Sequence, residues 1–129
     1  MLVNCTPHAI NILSNEGLQK TKTGWQVGPN QDPVIVRRID ASGIVPRASQ
    51  GPSRPGEPVD GIPTQIPGDF GPPTDLPDPK EGVYMIVSIL TIQAAKAAGR
   101  SLTDLLSPGD LVRDHAGQIV GALNLARAQ

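Results

Sequence analysis

The longest apolar run of the chain lies at residues 83–90, and it predicts the element around which the fold is built. β-Branched and aromatic side chains dominate this run, which is typical of a buried strand. From about Ile89 the sequence becomes rich in alanine, the strongest helix former. Gly99 followed by Arg100 then predicts the end of a helix, because glycine readily adopts the left-handed conformation found there.

A second, short helical turn is predicted directly after that helix. Ser101 is a favourable N-cap residue, and Asp104 falls in the first turn, where a negative charge suits the helix dipole. The apolar positions of this turn are Leu102, Leu105 and Leu106. The sequence Ser107-Pro108-Gly109 ends it, and residues 111–113 begin a new strand.

Alternating apolar and polar residues predict further strands. Ile10 and Ile12 flank Asn11, which indicates a half-buried strand, and residues 34–39 form a run that Pro33 introduces. Residues 118–123 read as the second strand of a hairpin. Its turn is 114–117, where Gly117 can supply the positive φ that such a turn requires.

Residues 46–79 are punctuated by proline and glycine so often that no regular helix can form there. A disordered linker is one interpretation, although no second domain follows for it to connect. Regularly spaced apolar anchors favour an ordered irregular loop or an edge-strand segment; they are Val59, Ile62, Ile66, Phe70 and Leu76. The whole pattern predicts an α+β fold. We expect one small domain over 1–129, with an antiparallel sheet, one central helix, a short helical turn and this long ordered loop.

Composition limits the possible functions. The formal net charge is −1, so the chain lacks the basic field that non-specific binding of DNA or RNA needs. An anionic ligand would have to be met by a few local arginines. The single cysteine, Cys5, favours a reducing compartment. The first residues do not resemble a signal peptide, and polar residues interrupt every apolar run before it could cross a bilayer, so we expect a cytoplasmic protein without a membrane partner.

The residues do not predict an enzyme or a bound cofactor. His8 and His115 are far apart in sequence, and no metal-ligand spacing or phosphate-binding glycine motif occurs. Cys5 and His8 could be a nucleophile and its base. A three-residue offset along a strand would place them on opposite faces, however, which favours a buried cysteine and a turn histidine.

Arginine remains as the residue type able to recognise a ligand, because its planar guanidinium matches phosphate oxygens and can stack on a base. Arg113 and Asp114 are placed where a strand meets a turn, a position that directs side chains towards a ligand. The alternative is an ordinary surface ion pair between neighbours, which contributes little to stability.

Several segments occur in an order that resembles a known family. They are NCTPHAINIL, SGIVPR, VDGIP, LPDPKEGVYMIVS, the alanine-rich helix and PGDLVRDHAGQIVGALNLAR. The chain resembles the phage Thoeris anti-defence proteins of the first type, which are cyclic ADP-ribose sponges. The resemblance covers nearly the whole chain, except for 18–32 and 46–58, which look variable or inserted.

This resemblance implies a binding protein without catalysis. Such a protein captures cyclic ADP-ribose isomers made by a bacterial TIR-domain enzyme in the infected cell and withholds them from the downstream effector. The resemblance also implies a homodimer or hexamer, and in some members separate sites for cyclic di- or trinucleotides.

The ligand contacts implied by the resemblance are local. Arg113 and Asp114 correspond to the ligand-binding arginine and aspartate, and Gln93 takes the place of an amide that is often asparagine. Arg47 is a candidate for a second phosphate contact. The base-stacking position falls on Tyr84 or on Met85; methionine there would weaken stacking.

Two other functions remain open from the sequence alone. One is a hydrolase of the same messenger. The other is a phage structural or partner-binding module that uses the proline-rich segment as a docking strap.

Overall fold

The computed structural model describes residues 1–22 and 24–128. One helix, α1, is seen in this part of the chain at Ile89–Ala97. The strands in chain order are β1 Leu2–Asn4, β2 Ile10–Leu13, β3 Leu18–Thr21, β4 Gly24–Val27, β5 Ile35–Ile39, β6 Arg54–Val59, β7 Ile62–Ile66, β8 Tyr84–Ile86, β9 Leu105–Pro108, β10 Leu111–Arg113, β11 Ile119–Ala122 and β12 Leu125–Arg127.

These strands form three sheets. A four-stranded sheet has the order β1-β8-β9-β12, and a six-stranded sheet has the order β3-β4-β10-β11-β2-β5. The remaining two strands, β6 and β7, pair only with each other in a hairpin. The expected α+β fold is therefore wrong, because the protein consists mostly of β-sheet and its short helix is not a central element.

An antiparallel sheet was expected, but both large sheets are mixed. Strands β1 and β8, β8 and β9, β4 and β10, and β11 and β2 run parallel. The connection from β8 to β9 contains α1, so the helix is the crossover of a parallel β-α-β unit, which needs a connection of this kind. A turn motif in the sequence can predict that the two strands it joins are antiparallel. Parallel strands are not joined by such a turn, so no local motif predicts their pairing.

Helix α1 forms close to where the sequence predicts it. The Ser88 hydroxyl accepts a hydrogen bond from the backbone N–H of Thr91 at 3.2 Å, which caps the first turn. Ala94 and Ala95 are fully buried on the inner face of the helix. Gly99 follows the C-terminus with a φ of +78°, as expected for a helix end.

The helical turn predicted at 101–106 is wrong. Leu105 instead begins β9, where it pairs with Met85 of β8, and Leu106 pairs with Ile86. Asp104 is buried and receives two hydrogen bonds of 2.9 Å from the Arg100 guanidinium. Partners distant in sequence thus override a local pattern that suits a helix.

The core lies in layers on both sides of β8. On one side, Met85 and Val87 pack with Cys5, Ala95 and Leu105 beneath the helix. On the other side, Ile86 packs with the buried side chains of Ile39 and Leu106, and residues from both large sheets join this cluster. A third cluster of Leu13, Val27 and Val112 belongs to the six-stranded sheet. The order of layers is helix, four-stranded sheet, six-stranded sheet.

The sequence left an ordered irregular loop or an edge-strand segment open for the proline-rich segment, and the structure forms two paired strands within it. Its residues 47–74 form a two-legged arm that ends in the β6–β7 hairpin. Backbone hydrogen bonds join the legs below the hairpin: Arg47 with Thr74, Gly51 with Asp69, and Gly71 with Ser49. Gly68 is required where the legs meet, because a Cβ there would clash with the carbonyl oxygen of Gly51.

Loss of the buried ion pair between Arg100 and Asp104 should lower the stability of the fold more than loss of an exposed ion pair. The two side chains are 14% and 8% exposed, and Arg100 also donates to the Pro77 carbonyl oxygen at 2.7 Å. Arg100→Ala leaves a buried carboxylate unpaired, so we expect the free energy of unfolding to fall by about 3–5 kcal/mol in urea titrations.

Arg38→Ala is the matched control. Arg38 pairs with Asp40 at 3.0 Å, but these side chains are 64% and 80% exposed. Its loss should cost less than about 1 kcal/mol. Equal losses in the two variants would contradict the structural role assigned to the Arg100 pair.

Candidate functional site

A cavity with a volume of about 580 Å³ lies along the face of β4 and β10. The turn before β10, the turn after it and the end of β3 complete its walls. It is lined by Thr21, Gly24, Trp25, Gln26, Gly109, Asp110, Leu111, Arg113, Asp114, His115 and Gly117.

Alternation along β10 directs Arg113 to this cavity. Val112 is completely buried in the core, so its neighbours Leu111 and Arg113 point to the opposite face of the strand. The parallel pairing of β10 with β4 sets Arg113 beside Gln26. The sequence-based prediction that Arg113 stands at the end of a strand therefore agrees with its position.

The Arg113 guanidinium is held by the turn that follows its own strand. Its Nη1 donates a hydrogen bond of 2.9 Å to the carbonyl oxygen of Gly117. The side chain is exposed, and within 1–22 and 24–128 no carboxylate lies within ion-pair distance of it. A guanidinium with one fixed edge and several remaining N–H donors is well suited to a phosphate or carboxylate ligand.

Asp114 organises the turn rather than pairing with Arg113. Its Oδ1 accepts hydrogen bonds of 2.9 Å from the backbone N–H groups of Ala116 and Gln118. The backbone of Asp114 also donates to the Gln118 carbonyl at 2.9 Å. The surface ion pair weighed from the sequence is thus replaced by a side-chain-to-backbone turn of the type that aspartate often forms.

A second carboxylate, Asp110, lines the opposite end of the cavity. Asn124 fixes this turn: its amide nitrogen donates to Asp110 Oδ2 at 3.0 Å, and its side-chain oxygen accepts from the Asp110 backbone N–H at 2.9 Å. Gly109 permits the close approach, since a Cβ there would touch the Asn124 side chain. The sequence did not predict a role for Asp110 or Asn124, because the two residues lie in different turns that only the fold brings together.

Trp25 is the other lining residue that the sequence left without a role. It packs against the cluster of Leu13, Val27 and Val112, and the Lys20 ammonium lies 5.6 Å from its ring centre. The ring is therefore fixed between the core and a cation. It was recognisable as the one tryptophan of the chain, but its segment carried no clear secondary-structure signal.

Tyr84 and Met85 lie away from this cavity. Met85 is 3% exposed within the core beneath the helix, where no ligand could contact it. Tyr84 is exposed and lines the second cavity, of about 290 Å³, with Lys80 and Glu81. The Arg127 guanidinium lies 5.7 Å from the centre of its ring. The stacking position expected from the resemblance is therefore not beside Arg113.

Gln93 and Arg47 do not line either cavity. Gln93 is exposed on α1, and Arg47 is exposed at the base of the arm, where its backbone pairs with that of Thr74. Of the six residues predicted to bind a ligand, the structure brings together Arg113 and Asp114 and separates the other four.

The arrangement around Cys5 does not suit a nucleophile. Cys5 is buried in the core, and this burial raises the pKa of its thiol, while a hydrogen bond with Ser42 opposes part of the rise. His8 is exposed, and its carbonyl oxygen accepts hydrogen bonds from Asn4 and Thr6. Across the described ranges, no cluster of three histidine, cysteine or acidic side chains could hold a metal ion.

The turn after β10 gives a test of the role of Asp114. Asp114→Ala removes the acceptor of two backbone N–H groups, so we expect the free energy of unfolding to fall by about 1 kcal/mol, with faster amide hydrogen exchange at Ala116 and Gln118. Asp114→Asn keeps a side-chain oxygen at the same place and should retain most of this protection. Equal exchange rates in the two variants would contradict the proposed geometry.

Comparison with protein-family models, with curated proteins and with solved structures finds no match to this chain. Among the residues that the structure describes, no helix is long and apolar enough to cross a membrane. The site is a cavity with the Arg113 guanidinium in its wall and an aspartate in the turn on either side of β10.

Proposed function

We propose that this protein binds and sequesters a cyclic ADP-ribose isomer in the cavity beside Arg113. In this proposal it acts as a phage anti-defence sponge in the cytoplasm of the infected bacterial cell. It withholds a TIR-derived messenger from its effector and does not cleave it. The resemblance of the sequence to the Thoeris anti-defence family suggests the ligand.

The observation that carries this proposal is the cavity of about 580 Å³ with Arg113 in its wall. This volume lies within the range of about 300–1,000 Å³ that is usual for small-molecule sites. Arg113 donates one hydrogen bond to the carbonyl oxygen of Gly117, and a pyrophosphate could accept hydrogen bonds from its remaining N–H groups. The second cavity has half this volume, so we assign the messenger to the Arg113 cavity alone.

The two carboxylates of the cavity favour a nucleoside over a bare phosphate. Asp110 and Asp114 would repel an anion placed close to them, but each can accept hydrogen bonds from ribose hydroxyls or an adenine amino group. A ligand with a phosphate at one end and hydroxyl donors at the other matches this distribution of charge. Inorganic phosphate or pyrophosphate matches only the part beside Arg113.

Sequestration also agrees with the chemical groups that the cavity presents. His115 lies in the wall, and its Nε2 is 3.4 Å from the carbonyl oxygen of Gly28. The side chains of the wall that could act as a nucleophile are Thr21, Asp110 and Asp114, and each is engaged by its own surroundings. The Thr21 hydroxyl donates to the Gly24 carbonyl oxygen at 3.0 Å, and both carboxylates accept hydrogen bonds from neighbouring groups. We therefore favour binding without turnover over a hydrolase of the same messenger.

The proposal is tested with purified protein and cyclic ADP-ribose isomers. We expect tight binding by calorimetry and release of the intact isomer after heat denaturation, detected by mass spectrometry. Arg113→Ala removes a charge-assisted contact of about 1.5–3 kcal/mol, so affinity should fall about 10- to 100-fold. Arg54→Ala removes the same charge from the hairpin, outside both cavities, and should bind normally.

Three results would contradict the proposal. Normal capture by Arg113→Ala, with an unchanged melting temperature, would show that the ligand does not bind beside Arg113. Recovery of linear ADP-ribose would indicate the hydrolase. The absence of binding to any cyclic nucleotide would favour a second candidate function, a partner-binding module, which the exposed apolar residues of the β6–β7 hairpin support.

A further inference from the structure

The chain exposes far more surface than a compact protein of its mass. Its accessible surface is 8567 Å², whereas a folded monomer of 13.5 kDa is expected to expose about 6,500 Å². The surplus of about 2,000 Å² per chain is the contribution expected from one copy in a large, permanent interface, which buries about 2,000–5,000 Å² in total.

Much of this surplus lies in the arm. Every residue of the hairpin is exposed except Gly56 and Thr64, which are half-buried. A two-stranded hairpin with no covered face is marginally stable by itself in water. At about 3.3 Å per residue, a leg that runs from Arg47 to Asp60 could reach on the order of 40 Å. The arm therefore needs a surface to cover it.

The hairpin has one apolar face. Alternation along β7 puts Ile62, Thr64 and Ile66 on the same side, and the pairing of Val59 with Ile62 brings Val59 to that side as well. Val59 is 61% exposed, Ile62 64% and Ile66 41%. Pro55, Pro58 and Pro63 remove N–H donors from the edges of the hairpin. Contact through this face is thus favoured over the addition of another strand.

A matching surface lies at the edge of the six-stranded sheet. β5 is the last strand there, and Val34, Ile35 and Val36 are all exposed on it or directly before it. A register shift between β2 and β5 leaves Val36 without a pairing partner on β2. An exposed apolar edge of this kind is a typical place for contact with another chain.

The charges of the two surfaces are complementary. Glu57 and Asp60 lie on the hairpin, whereas Arg37 follows Val36 on β5. Arg38 is paired with Asp40, but Arg37, Glu57 and Asp60 take part in none of the ion pairs found in the described part of the chain. Close to the tip of the hairpin, Glu57 and Asp60 are both acidic, so a hairpin placed on β5 brings opposite charges together at Arg37.

We propose that the hairpin of one copy packs its apolar face against the β5 edge of a second copy, with Glu57 and Asp60 close to Arg37. A reciprocal contact would close a two-fold dimer, and a non-reciprocal one would close a ring. This inference does not depend on the nucleotide. It is tested without any ligand, so its failure and that of the proposed function are distinguishable.

Sedimentation equilibrium at micromolar concentration gives the first test. The wild type should have a mass of at least twice 13.5 kDa. Ile62→Ser on the hairpin and Val36→Ser on β5 should each shift the equilibrium towards the monomer. Leu90→Ser is the control, because Leu90 is also largely exposed but lies on α1.

A charge exchange gives the second test and identifies the two surfaces as partners. Glu57→Lys and Arg37→Glu should each weaken association by about tenfold, because like charges then face each other. The chain that carries both changes should associate nearly as tightly as the wild type.

A monomeric wild type would overturn the proposal and assign the arm to another protein or to its own β5. Additive weakening in the doubly changed chain would overturn it as well, because the two surfaces would then not be partners.

Discussion

Burial of β8 on both faces is the constraint on which the rest of the structure depends. Ile86 faces the six-stranded sheet, and Met85 and Val87 face the helix, so this short strand separates the two main layers of the core. Both of its neighbours, β1 and β9, run parallel to it. A parallel neighbour requires a crossover, and α1 supplies the one to β9. The helix is therefore required by the parallel pairing of β8 with β9.

The strands with strong local patterns could be predicted from the sequence, and so could α1. Residues 10–13, 35–39 and 111–113 carry alternation or β-branched runs, and the structure forms strands there. The segment 101–106 failed because leucine spacing suits either a helix or a strand. The pairing of Leu105 with Met85 and of Leu106 with Ile86 decides for the strand, and these partners on β8 lie outside any local window. The sequence did not indicate how the two legs of the arm are joined, because they pair across a long separation in sequence.

Of the six residues predicted to bind a ligand, two lie in the candidate site, and most of its wall was not predicted. Arg113 and Asp114 were recognisable as a polar pair at the junction of a strand and a turn, and they line one cavity. Asp110, Asn124 and Trp25 could not be assigned to the site from the sequence. They are brought there by the parallel pairing of β4 with β10 and by the hydrogen bonds between the turns of Asp110 and Asn124. Tyr84, Met85, Gln93 and Arg47 were drawn from the resemblance alone. None of them lies in the wall that contains Arg113.

The contact of Gly68 with Gly51 in the arm has a consequence for how this protein can vary among its relatives. Any other residue at position 68 would force the two legs apart, so the contact of Gly68 with Gly51, here called the crossing, has a fixed position on the arm. Beyond it, equal insertions or deletions in both legs would change the span of the arm and leave the layered body intact. Length polymorphism should therefore concentrate between the crossing and the tip, in even steps, while the part nearer the body keeps a constant length.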